Sequence, residues 1–128
     1  MTHAKATLGA TNYAVSIETG HHRLTSDEAA DAGGKDAGPS PHDLLGSALS
    51  ACTAITLRMY AERKHWALRT VHVDVHLKHE GKEASIRRVL TLEGDLDGEQ
   101  RARLADIAER TPVTLLLKNG LPITTELR

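Results

Sequence analysis

Between Leu44 and Leu57 nearly every position is apolar or small, with Leu44, Leu45, Ala48, Leu49, Ala51, Cys52, Ala54, Ile55 and Leu57 among them. Such a stretch has no polar face to give to water, and a helix built from it has to be covered all round. Its start is well marked. Ser40 suits the N-cap, Pro41 the first helical position, and Asp43 the acidic place of a capping box. Past Arg58 the sequence turns polar with Glu62, Arg63 and Lys64, so the last turns reach solvent. A helix of about 24 residues rises roughly 36 Å, the width of a small domain. It is expected as the central core helix. Gly46, Ser47, Ala48, Ser50 and Ala51 leave one stretch thin enough for another backbone to approach closely. Covering it is hard for one chain of 128 residues that has no Phe and only Trp66, Tyr13 and Tyr60 as aromatics. A second copy of the chain is therefore expected to supply part of the burial.

Strands flank this helix. Tyr13-Ala14-Val15-Ser16-Ile17-Glu18 alternates with period two, Gly20 turns it, and His22-Arg23-Leu24-Thr25 is its returning partner. Residues 26 to 40 are polar and rich in Gly, Ala and Asp. A loop of about 15 residues is long enough to carry function. After the helix, Val71, Val73, Val75 and Leu77 alternate with His72, Asp74, His76 and Lys78, the pattern of a half-buried strand. Glu80-Gly81-Lys82-Glu83 turns the chain, and Ser85 to Glu93 returns antiparallel. Asp97 with Gln100 three residues on marks a second helix, buried through Leu104, Ile107 and Ala108. Thr111-Pro112 interrupts it, Val113 to Leu117 reads equally as short helix or strand, and Ile123 to Leu127 reads as an edge strand. The order of elements says α+β: antiparallel sheets around a long buried central helix, in a single domain spanning residues 1–128.

Charge excludes some partners. The net charge is −1, so nothing favours nucleic acid or an anionic membrane. No apolar run reaches the roughly 18 residues of a membrane span, and Met1-Thr2-His3-Ala4-Lys5 lacks the apolar stretch of a signal peptide. The single cysteine, Cys52, fits a reducing compartment, and the cytoplasm is expected.

Cys52 is also the one obvious nucleophile. Thiols react as thiolates, so a reactive cysteine needs a cation, a base or a helix N-terminus beside it. Cys52 lies about three turns into its helix, too deep for much help from the dipole, so activation has to come from another segment. Otherwise it is a small buried apolar residue, the commonest fate of a free cysteine. The histidines do not make a metal site. His72 and His76 share a strand face but stand roughly 13 Å apart, too far to hold one ion at bond lengths of about 2 Å. No metal and no cofactor is expected.

Gly33-Gly34-Lys35-Asp36-Ala37-Gly38-Pro39-Ser40-Pro41-His42-Asp43-Leu44-Leu45, running into Ala48-Leu49-Ser50-Ala51-Cys52-Thr53-Ala54, resembles the signature of the OsmC/Ohr superfamily. Thr56 to Lys64 followed by Trp66, and Gly94-Asp95-Leu96-Asp97 with Glu99-Gln100-Arg101, resemble its OsmC-like branch. The resemblance covers roughly residues 20 to 128. It implies an intertwined homodimer acting in defence against organic hydroperoxides. It also implies that the helix cysteine, here Cys52, attacks the peroxide and becomes a sulfenic acid. A second cysteine would then close a disulfide.

Three positions depart from that pattern. Thr111 stands at the resolving position, and a hydroxyl cannot form a disulfide, so the two-cysteine cycle within one chain is excluded. The glutamate position at the helix start falls on His42. The activating arginine is Arg23 by a shifted alignment, or it is absent. The resemblance therefore implies a one-cysteine peroxidatic thiol at Cys52, aided by His42 and Arg23 and reduced by an external thiol. The alternative is a non-catalytic member that binds a small hydrophobic ligand in the dimer-interface pocket. A third reading leaves Cys52 as core filler.

Overall fold

The computed structural model describes all 128 residues, Met1–Arg128. The chain forms two compact units, Met1–Leu45 and Gly46–Arg128.

The first unit is built on an antiparallel three-stranded meander: β1 (Ala4–Leu8), β2 (Val15–Thr19) and β3 (His22–Ser26). Thr19 pairs with His22, leaving Gly20 and His21 as the hairpin loop, and Gly20 takes the positive φ of 60° that the tight turn needs. β1 has no counterpart among the strands expected from the sequence. Its alternation is carried by Ala4, Ala6 and Leu8, too small an apolar signal to separate from coil, and all five of its residues are exposed. The loop after β3 contains one 3₁₀ turn, Ala30–Ala32. It then leads to the predicted helix start, where Ser40 Oγ accepts from Asp43 N at 3.1 Å and Asp43 Oδ2 accepts from Ser40 N at 3.0 Å. This is the capping box read from the sequence.

The helix, α1, runs Pro41–Lys64. It closes on a Schellman turn: Trp66 N donates to Ala61 O at 2.9 Å and His65 N to Glu62 O at 3.2 Å, with His65 in the left-handed region at φ 59°. Within this one chain the helix is not covered all round. Only Leu49, Thr53, Leu57 and Ala61, one face at four-residue spacing, are buried. Ile55 and Met59 are 55% and 57% exposed. By length and composition alone α1 would suffice to cross a membrane, a property that core helices of soluble proteins share. This differs from the expectation of no span-length segment, because Gly, Ser and Thr break the apolar run of α1 without making the helix polar. A helix averages hydropathy over both its apolar and its small residues.

In the second unit the hairpin is longer than predicted. β4 (Ala67–Glu80) and β5 (Glu83–Asp95) pair throughout, with a bulge between Leu68 and Thr70. Asp97 and Gln100 form the predicted capping box of α2 (Gly98–Ala108), with Gln100 N to Asp97 Oδ1 at 2.8 Å and Asp97 N to Gln100 Oε1 at 2.9 Å. The ambiguous segment is a helix, α3 (Pro112–Asn119), because Thr111 caps it and Pro112 takes its first position. The core joins Leu57 and Ala61 of α1, Leu68 of β4, and Leu104 and Ala108 of α2, with Trp66, Val71, Leu90 and Leu92 packed on it.

The predicted edge strand at Ile123–Leu127 does not form; residues 120 to 128 are irregular. A strand needs a ladder to hydrogen-bond to, and no strand of the chain pairs with this segment. Its β-type pattern leaves Ile123 87% and Leu127 96% exposed.

Candidate functional site

In the first unit, Arg23 lies on β3 directly opposite Glu18 of β2, and the two form an ion pair at 3.3 Å with the guanidinium 81% exposed. His42 sits in the first turn of α1 and is exposed. The long loop has an organiser that sequence reading passed over. The buried carboxylate of Asp27 accepts from Glu28 N at 2.7 Å and from Lys35 N and Ala37 N at 3.2 Å each. Burial pushes this carboxyl up, but the bonds from Ala37, Glu28 and Lys35 outweigh it and hold the group below the usual carboxylate range. Gly34 and Gly38 make the loop possible. A Cβ at either would stand 2.0 Å from a carbonyl oxygen, that of Glu28 or of Thr25.

In the second unit Cys52 is half-buried. Its sulfur lies 3.9 Å from Thr56 Oγ1, one turn further along α1. It belongs to a lengthwise stripe with Leu45, Ile55 and Met59, spaced by three, four or seven residues and therefore on one side of the helix. Ten residues of α1 separate Cys52 from His42, a rise of about 15 Å. Along one helix the imidazole therefore stands too far from the sulfur to touch it.

One residue away, Thr53 faces inward and enters a polar cluster that the sequence did not announce. Arg88, on β5, has only 12% of its side chain exposed. Its Nη1 donates to Thr53 Oγ1 and to Thr114 Oγ1, both at 2.9 Å. Its Nη2 donates to Ala108 O at 2.7 Å and to Glu109 Oε2 at 3.2 Å. Ala108 ends α2, so its carbonyl has no partner inside the helix and favours a cation. Thr114 has a single hydroxyl proton, and it points at Ala108 O, 3.3 Å away. Thr111 is therefore the donor in the 2.6 Å bond between the two hydroxyls, while Thr111 Oγ1 accepts from Thr114 N at 3.3 Å. Thr111, where a resolving cysteine would stand, is fully buried. The available signal was parity. Arg88 is in phase with Ile86, Leu90 and Leu92, whose partners across the ladder are Leu77, Val73 and Val71. An arginine on the apolar side of a strand needs an explanation.

On the hairpin's outer face, His72 Nε2 lies 2.9 Å from Glu93 Oε1 and His76 Nε2 3.4 Å from Asp74 Oδ2.

A three-stranded meander, a long helix, a long hairpin and two short helices define a small α+β protein with a single cysteine. The family model of OsmC-like proteins matches residues 33–126, and the chain belongs to that family. No curated protein sequence matches it. Among solved structures it resembles an OsmC-like protein from Mycoplasma pneumoniae (TM-score 0.78, 17% identity, 92% of this chain and 87% of that one). It also resembles the organic hydroperoxide resistance protein OsmC from Legionella pneumophila (0.70, 23%, 92% and 89%). A third likeness is to the organic hydroperoxide resistance protein OhrB of Bacillus subtilis (0.65, 21%, 92% and 90%). At these identities the likeness establishes the shared fold.

Proposed function

We propose that the protein is a one-cysteine hydroperoxide reductase that works as a homodimer in the cytoplasm. The observation that carries this reading is the place of Cys52: a half-buried thiol at the helix position matching the family's cysteine, at the edge of the α1 face where Ile55 and Met59 are exposed. In the reaction the Cys52 thiolate attacks the distal peroxide oxygen and the O–O bond breaks. The alkoxide leaves as an alcohol after taking a proton, and the sulfur is left as sulfenic acid. An external thiol then attacks that sulfur, water departs, and a second thiol releases Cys52 from the mixed disulfide. Thr111 cannot take part, so the reductant comes from outside the chain.

Exposed apolar residues on α1 support the dimer: Ile55 and Met59 are 55% and 57% exposed, and a second copy would cover them. In the dimer the second copy's His42 is the base available to Cys52, since a chain's own His42 is out of reach. Arg23 is the candidate cation for the peroxide.

A second reading is favoured by the apolar stripe itself. With Leu45, Ile55 and Met59 around a thiol whose hydrogen-bonding neighbour is a threonine, the interface would hold a small hydrophobic ligand without turning it over. Consumption of cumene hydroperoxide with dithiothreitol separates the two. The reductase reading expects turnover in the wild type and none in Cys52→Ser. Equal rates in both proteins would leave ligand binding.

A further inference from the structure

Arg88 is the one inward-facing residue of β5 between Ile86 and Leu92 that is not apolar, and it stands opposite Val75. A buried guanidinium is costly unless its protons are satisfied, and even then it adds little net stability over an apolar residue of similar size. It does supply direction. The contacts of Leu57, Ala61, Leu104 and Ala108 are apolar and tolerate sliding or rotation, whereas a hydrogen bond fixes the position of its acceptor. Arg88 holds four acceptors from three other elements: Thr53 of α1, Ala108 and Glu109 at the end of α2, and Thr114 of α3. Thr53 is doubly held, because its hydroxyl also donates to Leu49 O at 2.7 Å. Successive residues on an α-helix are rotated by a fixed angle, so a helix held at Thr53 has the azimuth of Cys52 fixed as well.

We infer that Arg88 is a positioning residue for Cys52. Acting through Thr53, it sets the rotation of α1 over the β4–β5 hairpin and so the direction in which the sulfur points. The same guanidinium, through Thr114, holds Thr111 at the α2–α3 junction. The consequence for peroxide reduction rests on the function proposed above. The positioning itself does not.

The test is the rate at which native Cys52 reacts with iodoacetamide, measured beside thermal stability and beside cumene hydroperoxide turnover. Thr53→Val removes one arm of the cluster at constant shape; Arg88→Lys and Arg88→Met remove the planar fork. Arg58→Met is the control, since Arg58 ties α1 to the carbonyls of Leu68 and Arg69 at another point. Positioning predicts that Thr53→Val and Arg88→Lys each change the alkylation rate by about tenfold. The double variant changes it no further, because both act through one device. Arg58→Met stays within about twofold at a comparable loss of stability. Should Arg88→Met fail to fold, the other two variants still decide. Alkylation unchanged in Thr53→Val and Arg88→Lys while their melting temperatures fall would overturn the inference. A wild type without peroxide turnover would overturn the reductase reading alone, with the alkylation result still standing.

Discussion

The hydroxyls of Thr111 and Thr114 lie 2.6 Å apart at a fully buried turn, where Thr111 also caps α3. Replacing Thr111 by cysteine puts a poor acceptor at the cap and is expected to cost about 1–2 kcal/mol. Thr111→Ser keeps the oxygen and stays close to wild type. Thermal unfolding followed by circular dichroism measures both. Thr111→Cys also supplies the thiol that the family pattern places here. Provided the two Cα atoms lie within roughly 7 Å, the limit for bridging without backbone movement, excess hydroperoxide should trap Cys52 as a disulfide, whereas wild-type Cys52 proceeds to sulfinic acid. Mass spectrometry of the non-reduced protein tells these products apart.

Asp27 gives the long loop a dependence on acid. Its carboxyl is held below the ordinary value of 3.8. The stabilisation is therefore complete above the unfolded-state pKa and is lost as pH falls through the folded one. Protection of the Lys35 and Ala37 amides, taken relative to the intrinsic exchange rate at each pH, should hold at neutral pH and fall below about pH 4. Asp27→Asn should abolish that dependence and loosen the loop at every pH; equal protection in the variant would contradict the account.

His65 ends α1 in a conformation that L-residues adopt at a cost of about 1–2 kcal/mol. Its backbone supplies one of the two closing bonds of the turn, and glycine would supply the same bond without strain. After allowing for the extra freedom glycine gives the unfolded chain, His65→Gly should stabilise by about 0.5–1 kcal/mol. Denaturant midpoints at unchanged slope are the measure.

Ile55 lies at the middle of the uncovered stripe. A carboxylate there costs nothing in an isolated chain but is buried in a dimer. Ile55→Asp should therefore weaken association, and with it stability, by about 3–5 kcal/mol. Sedimentation equilibrium should show dimer for the wild type and monomer for the variant. A folded wild-type monomer at micromolar concentration would refute the dimer.

Those features that depend on neighbours in sequence were the legible ones. The capping boxes at Ser40–Asp43 and Asp97–Gln100, the extent of α1 and the Val71–Leu77 alternation all form from bonds within four residues or from simple periodicity. Ile123–Leu127 was misread because a strand is decided by the availability of a ladder rather than by its own side chains. For α1 the sequence states a need and not how it is met: the all-round apolar pattern asks for cover on every side, and its own chain buries only the face of Leu49, Thr53, Leu57 and Ala61. The Arg88 cluster draws on five positions from Thr53 to Thr114. Cys52 and Thr111 were found through family pattern, and their surroundings came only from the structure.

The hairpin of β4 and β5 has a bearing on how the chain folds. Glu80 pairs with Glu83 across a two-residue loop in which Gly81 takes a φ of 58°, and the ladder runs from there to Ala67 and Asp95. Each successive pair closes only a slightly larger loop than the one before, so zipping outward from Gly81 meets a small entropic barrier at every step. Hairpins of this kind form in microseconds, well ahead of contacts between distant segments. The hairpin then offers α1 a preformed platform. Arg88 lies on this hairpin, so the donor that holds Thr53 belongs to the element expected to form first, and pulse-labelled amide exchange should protect β4 and β5 before α1.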